Sequence, residues 1–242
     1  MECKLEKQVS VALSMCDNTG KLAIPHIFSL FMDLAAEHGD TIGVGMDVLS
    51  QKGLFWLTVK TKVCIYRLPK LLQTLDAATW PEVPGRIRCD RSYELTHNGE
   101  LVAAGKTEWA MLEVKTGRLA RIADNYPASI QHCQRTACEG SYAKIPDDFS
   151  ACPEIGSYTV RSADIDLGQH MNNAAYVHAI FGAFSCDELN NLSIREVDVL
   201  FRAPCYEGDL LSIRRRKTSD GMEIGILRPD GSTAVAAKIF CT

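Results

Sequence analysis

The stretch of this chain richest in reactive side chains is SADIDLGQHMNNAAYVHAIF, residues 162 to 181. There Asp164, Asp166, His170, Asn172 and Asn173 precede an apolar run. A carboxylate can take a proton from water or attack as a nucleophile, and an imidazole beside it can carry a proton either way near neutral pH. The run spaces Val177, Ile180, Phe181 and Phe184 along one helical face. The cluster therefore falls at a helix N-terminus, whose unpaired amides and positive dipole end suit a developing oxyanion. The same residue types also cap helices, so Asp166, Asn172 and Asn173 have a structural use beside the chemical one. Asp164 is expected to hydrogen-bond the loop backbone.

The elements that position this cluster occur twice. ELTHNGELVAAGKTEWAML and IGILRPDGSTAVAAKIF each carry a turn, Asn98-Gly99 and Asp230-Gly231, between strand-like runs. Asn-Gly and Asp-Gly supply the positive φ angles of tight hairpins. Upstream, two alternating runs each break at an aromatic-Arg-x-Pro sequence, Tyr66 to Pro69 and Phe201 to Pro204. Proline ends a strand because it cannot donate to the ladder. Before each pair of runs lies one helical segment, residues 24–38 and 172–186, with Ile27, Leu30, Phe31, Leu34 and Ala35 on one face of the first. One helix against one antiparallel sheet, twice, is an α+β architecture with an internal repeat. The expected organisation is a first domain over 1–122, a linker over 123–154 that wraps a surface and carries a short helix near 127–134, and a second domain over 155–242.

Composition narrows the function classes. The chain has 242 residues, 46% hydrophobic and 23% charged, with a net charge of −4. It is neither basic enough to seek nucleic acid by charge alone nor apolar enough anywhere to predict a membrane span. The start, MECKLEKQVS, lacks the apolar core of a secretory signal, so a cytoplasmic location is expected. The 10 cysteines are scattered and form no CxxC pair, which predicts reduced, buried thiols and no metal site. RRRK, residues 214–217, reads as a solvated strand or as a patch steering an acidic partner.

The repeat and the opening cluster resemble the acyl-ACP thioesterases, whose chains hold two tandem hotdog domains. The family pattern Asp-x-Asp-x-Asn-x-His-x-Asn-Asn, followed closely by Tyr, aligns with Asp164 to Asn173 and Tyr176. GLFWLTVKTKVCIYRLPKLLQTLDAATWP is similar to the family's first strand pair. The resemblance implies hydrolysis of a fatty acyl thioester on acyl carrier protein, releasing the free acid and ending elongation. It implies no cofactor, since water is the second substrate. Asp166 becomes the candidate base or nucleophile. His170 is positioned to polarise the carbonyl or protonate the leaving thiolate, and Asn172 or Asn173 to hold the carbonyl. Cys205 matches a family cysteine and lines the site. Phe31 and Trp56, with Asn173 and Tyr176, are the candidate substrate-binding residues. His38 is expected at a helix C-terminus, favoured by the dipole.

Two departures bear on the substrate. Gly168 stands where the family has asparagine, and Pro204 where it has glutamate, so no carboxylate acts from that position. These changes favour acyl-coenzyme A as the alternative substrate. From a different class comes a non-catalytic acyl-chain-binding protein on the same fold. The partner expected is acylated carrier protein or acyl-CoA, with no nucleic acid, and a homodimer is open.

Overall fold

The computed structural model describes residues 3–127, 129–130 and 132–242. They fall into two compact units, Met1–Gly140 and Ser141–Thr242. The first runs β1 (Leu5–Ser10), a 3-10 turn at Leu13–Met15, α1 (Ile24–Thr41), α2 (Met46–Gln51), β2 (Leu54–Ile65), β3 (Thr74–Pro81), β4 (Arg88–His97), β5 (Glu100–Glu113) and β6 (Leu119–Ala120). Its strands lie in the order β1-β3-β4-β5-β2, all antiparallel, with β6 folded back on β5.

The second unit repeats this path. It runs β7 (Glu154–Thr159), a 3-10 turn at Ser162–Asp164, α3 (Asn173–Gly182), α4 (Cys186–Asn190), β8 (Ile194–Phe201), β9 (Leu210–Thr218), β10 (Gly221–Leu227) and β11 (Thr233–Cys241). The strand order β7-β9-β10-β11-β8 is that of the first unit element for element, and again antiparallel throughout. The α+β repeat expected from the sequence is therefore the observed architecture.

In the first unit α1 beds into its sheet through a glycine. A Cβ on Gly105 of β5 would stand 2.4 Å from Phe31 Cε2 and 2.6 Å from the Lys62 carbonyl oxygen, so only glycine lets the helix ring reach the strand. That ring stacks on Tyr93 of β4 at 4.4 Å and 8°. In the second unit Tyr176 of α3 lies 6.2 Å from Phe201 of β8, and Ala183 packs on Gly156 of β7. The helix expected over 172–186 ends at Gly182. The chain then restarts as α4, because Ser185 and Glu188 close a capping box.

The stretch read as a linker is shared between the units. Ile130 packs with Ile42 and Val44, the Trp80 indole donates to the Arg135 carbonyl at 2.7 Å, and Lys106 donates to the Gly140 carbonyl at 2.6 Å. Further on, Ile145 and Phe149 join Leu227 and Ala236, with Phe149 against Gly225. Successive strand residues face opposite ways, so Lys106 meets this strap on the side of the sheet away from the helix that Gly105 meets. The short helix expected over 127–134 falls partly on residues 128 and 131, outside the described residues.

The Asn98-Gly99 hairpin is as expected, both residues having positive φ (53° and 79°). At Asp230-Gly231 only Gly231 does (82°), and the loop spans residues 228–232. Pro229 holds a negative φ there, and Asp230 accepts instead from the Ser232 amide at 2.9 Å. None of the described cysteines forms a disulfide, but only Cys89, Cys138 and Cys205 are buried and Cys186 is exposed. Cys64 with Cys138, and Cys3 with Cys133, bring their sulfurs to 2.7 Å, pinning the strap to the first sheet.

Candidate active site

The loop between β7 and α3 is built by its own polar residues. Asp164 closes the 3-10 turn, accepting from the Arg161 amide at 2.7 Å and from the Tyr158 hydroxyl at 2.9 and 3.0 Å. Its backbone carbonyl accepts from the Asn172 amide at 2.8 Å, which brings the two ends of the loop together. Between them Ile165 and Met171 form an antiparallel bridge. The chain reverses through Asp166 to Gln169, with Gln169 left-handed at φ 62°. Asp166 secures the reversal by accepting the Gly168 amide on Oδ1 at 2.7 Å. Tyr158 and the left-handed Gln169 carry no conspicuous sequence pattern that would single them out.

This fold places Asp166 and His170 side by side at the mouth of the loop. His170 Nδ1 lies 4.0 Å from Asp166 Oδ1, and the two side chains are 27% and 36% exposed. His170 Nδ1 is also 3.3 Å from the Met171 carbonyl. Water therefore reaches both groups. The second carboxylate oxygen of Asp166 takes no part in the hydrogen bonds that fold the loop.

Asn172 is the N-cap of α3. Its side-chain oxygen accepts from the Ala175 amide at 2.8 Å, and its side-chain nitrogen donates to the Asp164 carbonyl at 3.1 Å. The carboxamide expected to meet substrate is thus committed to the helix start. The cap occupies the third amide of the helix, and the amides of Asn173 and Ala174 remain to point out of its positive end. Asn173 is half-buried at the first helical position.

Tyr176 and Cys205 are brought together, in a structural pairing. The Cys205 amide donates to the Tyr176 hydroxyl at 2.8 Å, and the Met171 amide donates to the Cys205 carbonyl at 2.9 Å. Cys205 has no exposed surface. Burial pushes its thiol up from the usual range, as it does the Tyr176 hydroxyl. A buried, protonated sulfur is a poor nucleophile. Cys205 instead anchors the loop through its backbone.

Phe31 and Trp56 belong to the first unit. Phe31 is 1% exposed beneath α1. Trp56 is half-buried, donates to the Val44 carbonyl at 2.9 Å, and stands edge-on to Trp109 and Tyr126 at 6.1 and 6.0 Å. His38 lies in the last turn of α1, as expected, but away from solvent. It is 2% exposed, and its Nδ1 faces the Arg91 guanidinium at 2.8 Å. The arginines of RRRK are engaged within their own unit: Arg215 with Glu188, Arg216 with Glu223, and Arg214 with the Ser150 carbonyl. No cluster of metal-ligating side chains occurs among the described residues. None of their helices is long and apolar enough to cross a membrane.

Comparison with known proteins adds the lineage. The model of the acyl-ACP thioesterase N-terminal domain matches residues 2–130, and that of the C-terminal domain matches residues 150–239. The chain is 23% identical over 234 residues to oleoyl-acyl carrier protein thioesterase 2 of Arabidopsis thaliana, covering 89% of this chain and 64% of that protein. It thus spans less than two thirds of that relative's length. Among solved structures, an acyl-ACP thioesterase from Bacteroides thetaiotaomicron superposes with a TM-score of 0.90 at 18% identity, covering 99% of this chain and 98% of that one. A 12:0-ACP thioesterase from Umbellularia californica gives 0.86 at 17% identity, covering 100% and 98%. These likenesses establish the fold as the double hotdog expected from the sequence.

Proposed function

We propose, starting from the fact that this chain belongs to the acyl-ACP thioesterase family, that it hydrolyses the thioester of a fatty acyl chain on acyl carrier protein. The observation that carries this reading is the pairing of Asp166 with His170, 4.0 Å apart and both open to water, at the start of α3.

The chemistry follows from that placement. Asp166 draws a proton from a water, whose oxygen attacks the thioester carbonyl carbon. The oxyanion formed lies toward the Asn173 and Ala174 amides, where the helix end stabilises it. Collapse breaks the carbon–sulfur bond, and protonated His170 supplies the proton to the departing thiolate. Asp166 then returns its proton to His170 across the short gap between them. Asn172 and Tyr176 act as positioning residues, one capping the helix and the other bracing the strand end at Cys205.

Gly168 bears on the choice of carrier. It stands where the family motif has asparagine and contributes only its amide, to Asp166 Oδ1. No step above needs a side chain there, so acyl-coenzyme A is the second reading. Release of free fatty acid from matched acyl-ACP and acyl-CoA panels tests both. The Asp166→Asn substitution keeps the turn but removes the base. Carrier-dependent hydrolysis that this substitution abolishes is the expected result. Hydrolysis of the CoA esters alone moves the substrate. Acyl binding without any hydrolysis overturns the catalytic reading.

A further inference from the structure

A band of chain, residues 133–140, crosses the first sheet on the face away from α1. At its start the Cys133 amide donates to the Pro81 carbonyl at 3.3 Å, and Glu82 forms a parallel bridge with Cys133. The Trp80 indole of β3 donates to the Arg135 carbonyl at 2.7 Å. The Ala137 amide donates to the Ser92 hydroxyl of β4 at 2.9 Å, and Lys106 of β5 donates to the Gly140 carbonyl at 2.6 Å. Trp80 and Ser92 are cross-strand partners, and Ser92 points opposite to its neighbour Tyr93, which stacks beneath α1. These contacts to the band therefore come from one side of the sheet.

A cysteine pair fastens each end of this crossing. Cys3, just before β1, faces Cys133, and Cys64 of β2 faces Cys138, with the sulfurs of each pair 2.7 Å apart. Lys62 pairs in register with Lys106 and alternates with Cys64 along β2, so Cys64 lies on the side of the band. The partners are 130 and 74 residues apart in sequence, so the fold and not the local chain brings them together. Four of the 10 cysteines thus meet in two pairs, both on one short stretch. At rest they are thiols. Burial, and then the neighbouring Cys3, push the Cys133 thiol up to about 11. A protonated thiol exchanges slowly, so these are not activated thiolates. Each pair still offers a half-buried sulfur to a small oxidant: Cys3 and Cys133 in one, Cys64 in the other.

We propose that Cys3 with Cys133, and Cys64 with Cys138, are two disulfide-forming sites that clamp the band to the sheet when the protein meets a small disulfide such as oxidised glutathione. At each site a half-buried thiol gives up its proton and attacks one glutathione sulfur. The glutathione S–S bond breaks, and the departing glutathione thiolate takes up a proton. The partner cysteine then gives up its proton and attacks the protein sulfur of the mixed disulfide, releasing the second glutathione as a thiol. Two electrons pass from the two cysteines to oxidised glutathione, leaving one protein disulfide and two glutathione thiols. Both links close long loops of the unfolded chain, which is how such a bond stabilises a fold. None of the four cysteines takes part in the reaction proposed at Asp166 and His170, so the proposal stands or falls apart from that reading.

The test equilibrates the whole protein with oxidised or with reduced glutathione, blocks the remaining thiols and maps the linked peptides by mass spectrometry. The oxidised protein is expected to carry both links, and its thermal midpoint should lie at least about 5 °C above that of the reduced protein. Returning it to reduced glutathione should restore the lower midpoint. Cys133→Ser and Cys138→Ser should each lose one link, keep the other and retain part of the rise. A link that never forms strikes out its site. Cysteines joined in other pairings, or both links formed without a higher midpoint, overturn the clamp. The comparison of oxidised with reduced wild type needs no variant, so a serine variant that fails to fold leaves the test intact.

Discussion

The two units contain the same loop, and only one of the copies carries the aspartate–histidine pair proposed to do chemistry. In the second unit Ile165 bridges Met171, the Asp166 amide donates to the His170 carbonyl at 3.1 Å, and the Asn172 amide donates to the Asp164 carbonyl at 2.8 Å. In the first unit Cys16 bridges Leu22, the Asp17 amide donates to the Lys21 carbonyl at 2.8 Å, and the Ala23 amide donates to the Met15 carbonyl at 2.9 Å. Gly20 at φ 73° takes the left-handed place of Gln169 at φ 62°. Bond for bond, Asp17 stands where Asp166 stands, Lys21 where His170 stands, and Ala23 where Asn172 stands.

The comparison separates what an aspartate does for the loop from what it can do for a substrate. Asp17 Oδ1 accepts the Thr19 amide at 2.8 Å, the Thr19 hydroxyl at 2.7 Å and the Lys21 amide at 3.1 Å. Asp166 Oδ1 accepts only the Gly168 amide. Gly168 stands where the first loop has Thr19, so no hydroxyl ties down the carboxylate, and an imidazole replaces the lysine beyond it. The glycine that departs from the family motif thus leaves Asp166 less committed to the fold than Asp17. An aspartate in this turn is structural by default. The histidine and the thinner hydrogen bonding fit the second copy to the proposed reaction.

Several substitutions can break this comparison. The largest effect is expected at the histidine. His170→Ala should lower kcat by at least about a hundredfold, the usual worth of a general acid, whereas Lys21→Ala at the matching place should leave it within about twofold. Acyl-thioester hydrolysis by the purified variants measures both. Next comes packing. Gly105→Ala forces a methyl into Phe31 and the Lys62 carbonyl, and should cost about 2–3 kcal/mol in denaturant unfolding. Gly99→Ala has open space around it and should cost about 1 kcal/mol, through backbone strain at positive φ alone.

Smaller effects sharpen the contrast between the loops themselves. Asp17→Ala strands three donors and should destabilise by about 1–2 kcal/mol. Asp166→Ala strands one and should cost about half of that, read by thermal unfolding of the two proteins side by side. At the helix starts, Asn172→Ala removes a side-chain cap and should cost about 1 kcal/mol, while Ala23, an uncapped N-cap, should gain up to about 1 kcal/mol on Ala23→Ser. Equal effects at the paired positions would dissolve the distinction.

The strand grammar could be read from the sequence because alternation and turn residues are local. Asn98-Gly99 demands left-handed angles by its chemistry, and the two aromatic-Arg-x-Pro breaks end β2 and β8 where expected. The duplicated loop could not be read in the same way. Its two copies, CDNTGKL and IDLGQHM, share only the aspartate at matching places, and their likeness lives in backbone hydrogen bonds that many side chains satisfy. Residue type alone left the partners of His38 and Asn172 unnamed. His38 lies in the last turn of α1, as expected, but nothing local points to the Arg91 guanidinium against it. Asn172 caps α3, one of the two uses its type suggested, while its side-chain nitrogen reaches back to the Asp164 carbonyl. The candidate active-site cluster was visible because its reactive groups sit within one short stretch.

The most direct measurement makes the same change in both loops. Asp166→Asn and Asp17→Asn each keep an oxygen to accept the turn amide and each remove one negative charge. Free fatty acid release from acyl-ACP should fall by at least about a hundredfold for Asp166→Asn and stay within about twofold of wild type for Asp17→Asn, with thermal midpoints that match. Equal losses in the two variants, or full activity in Asp166→Asn, would contradict the account.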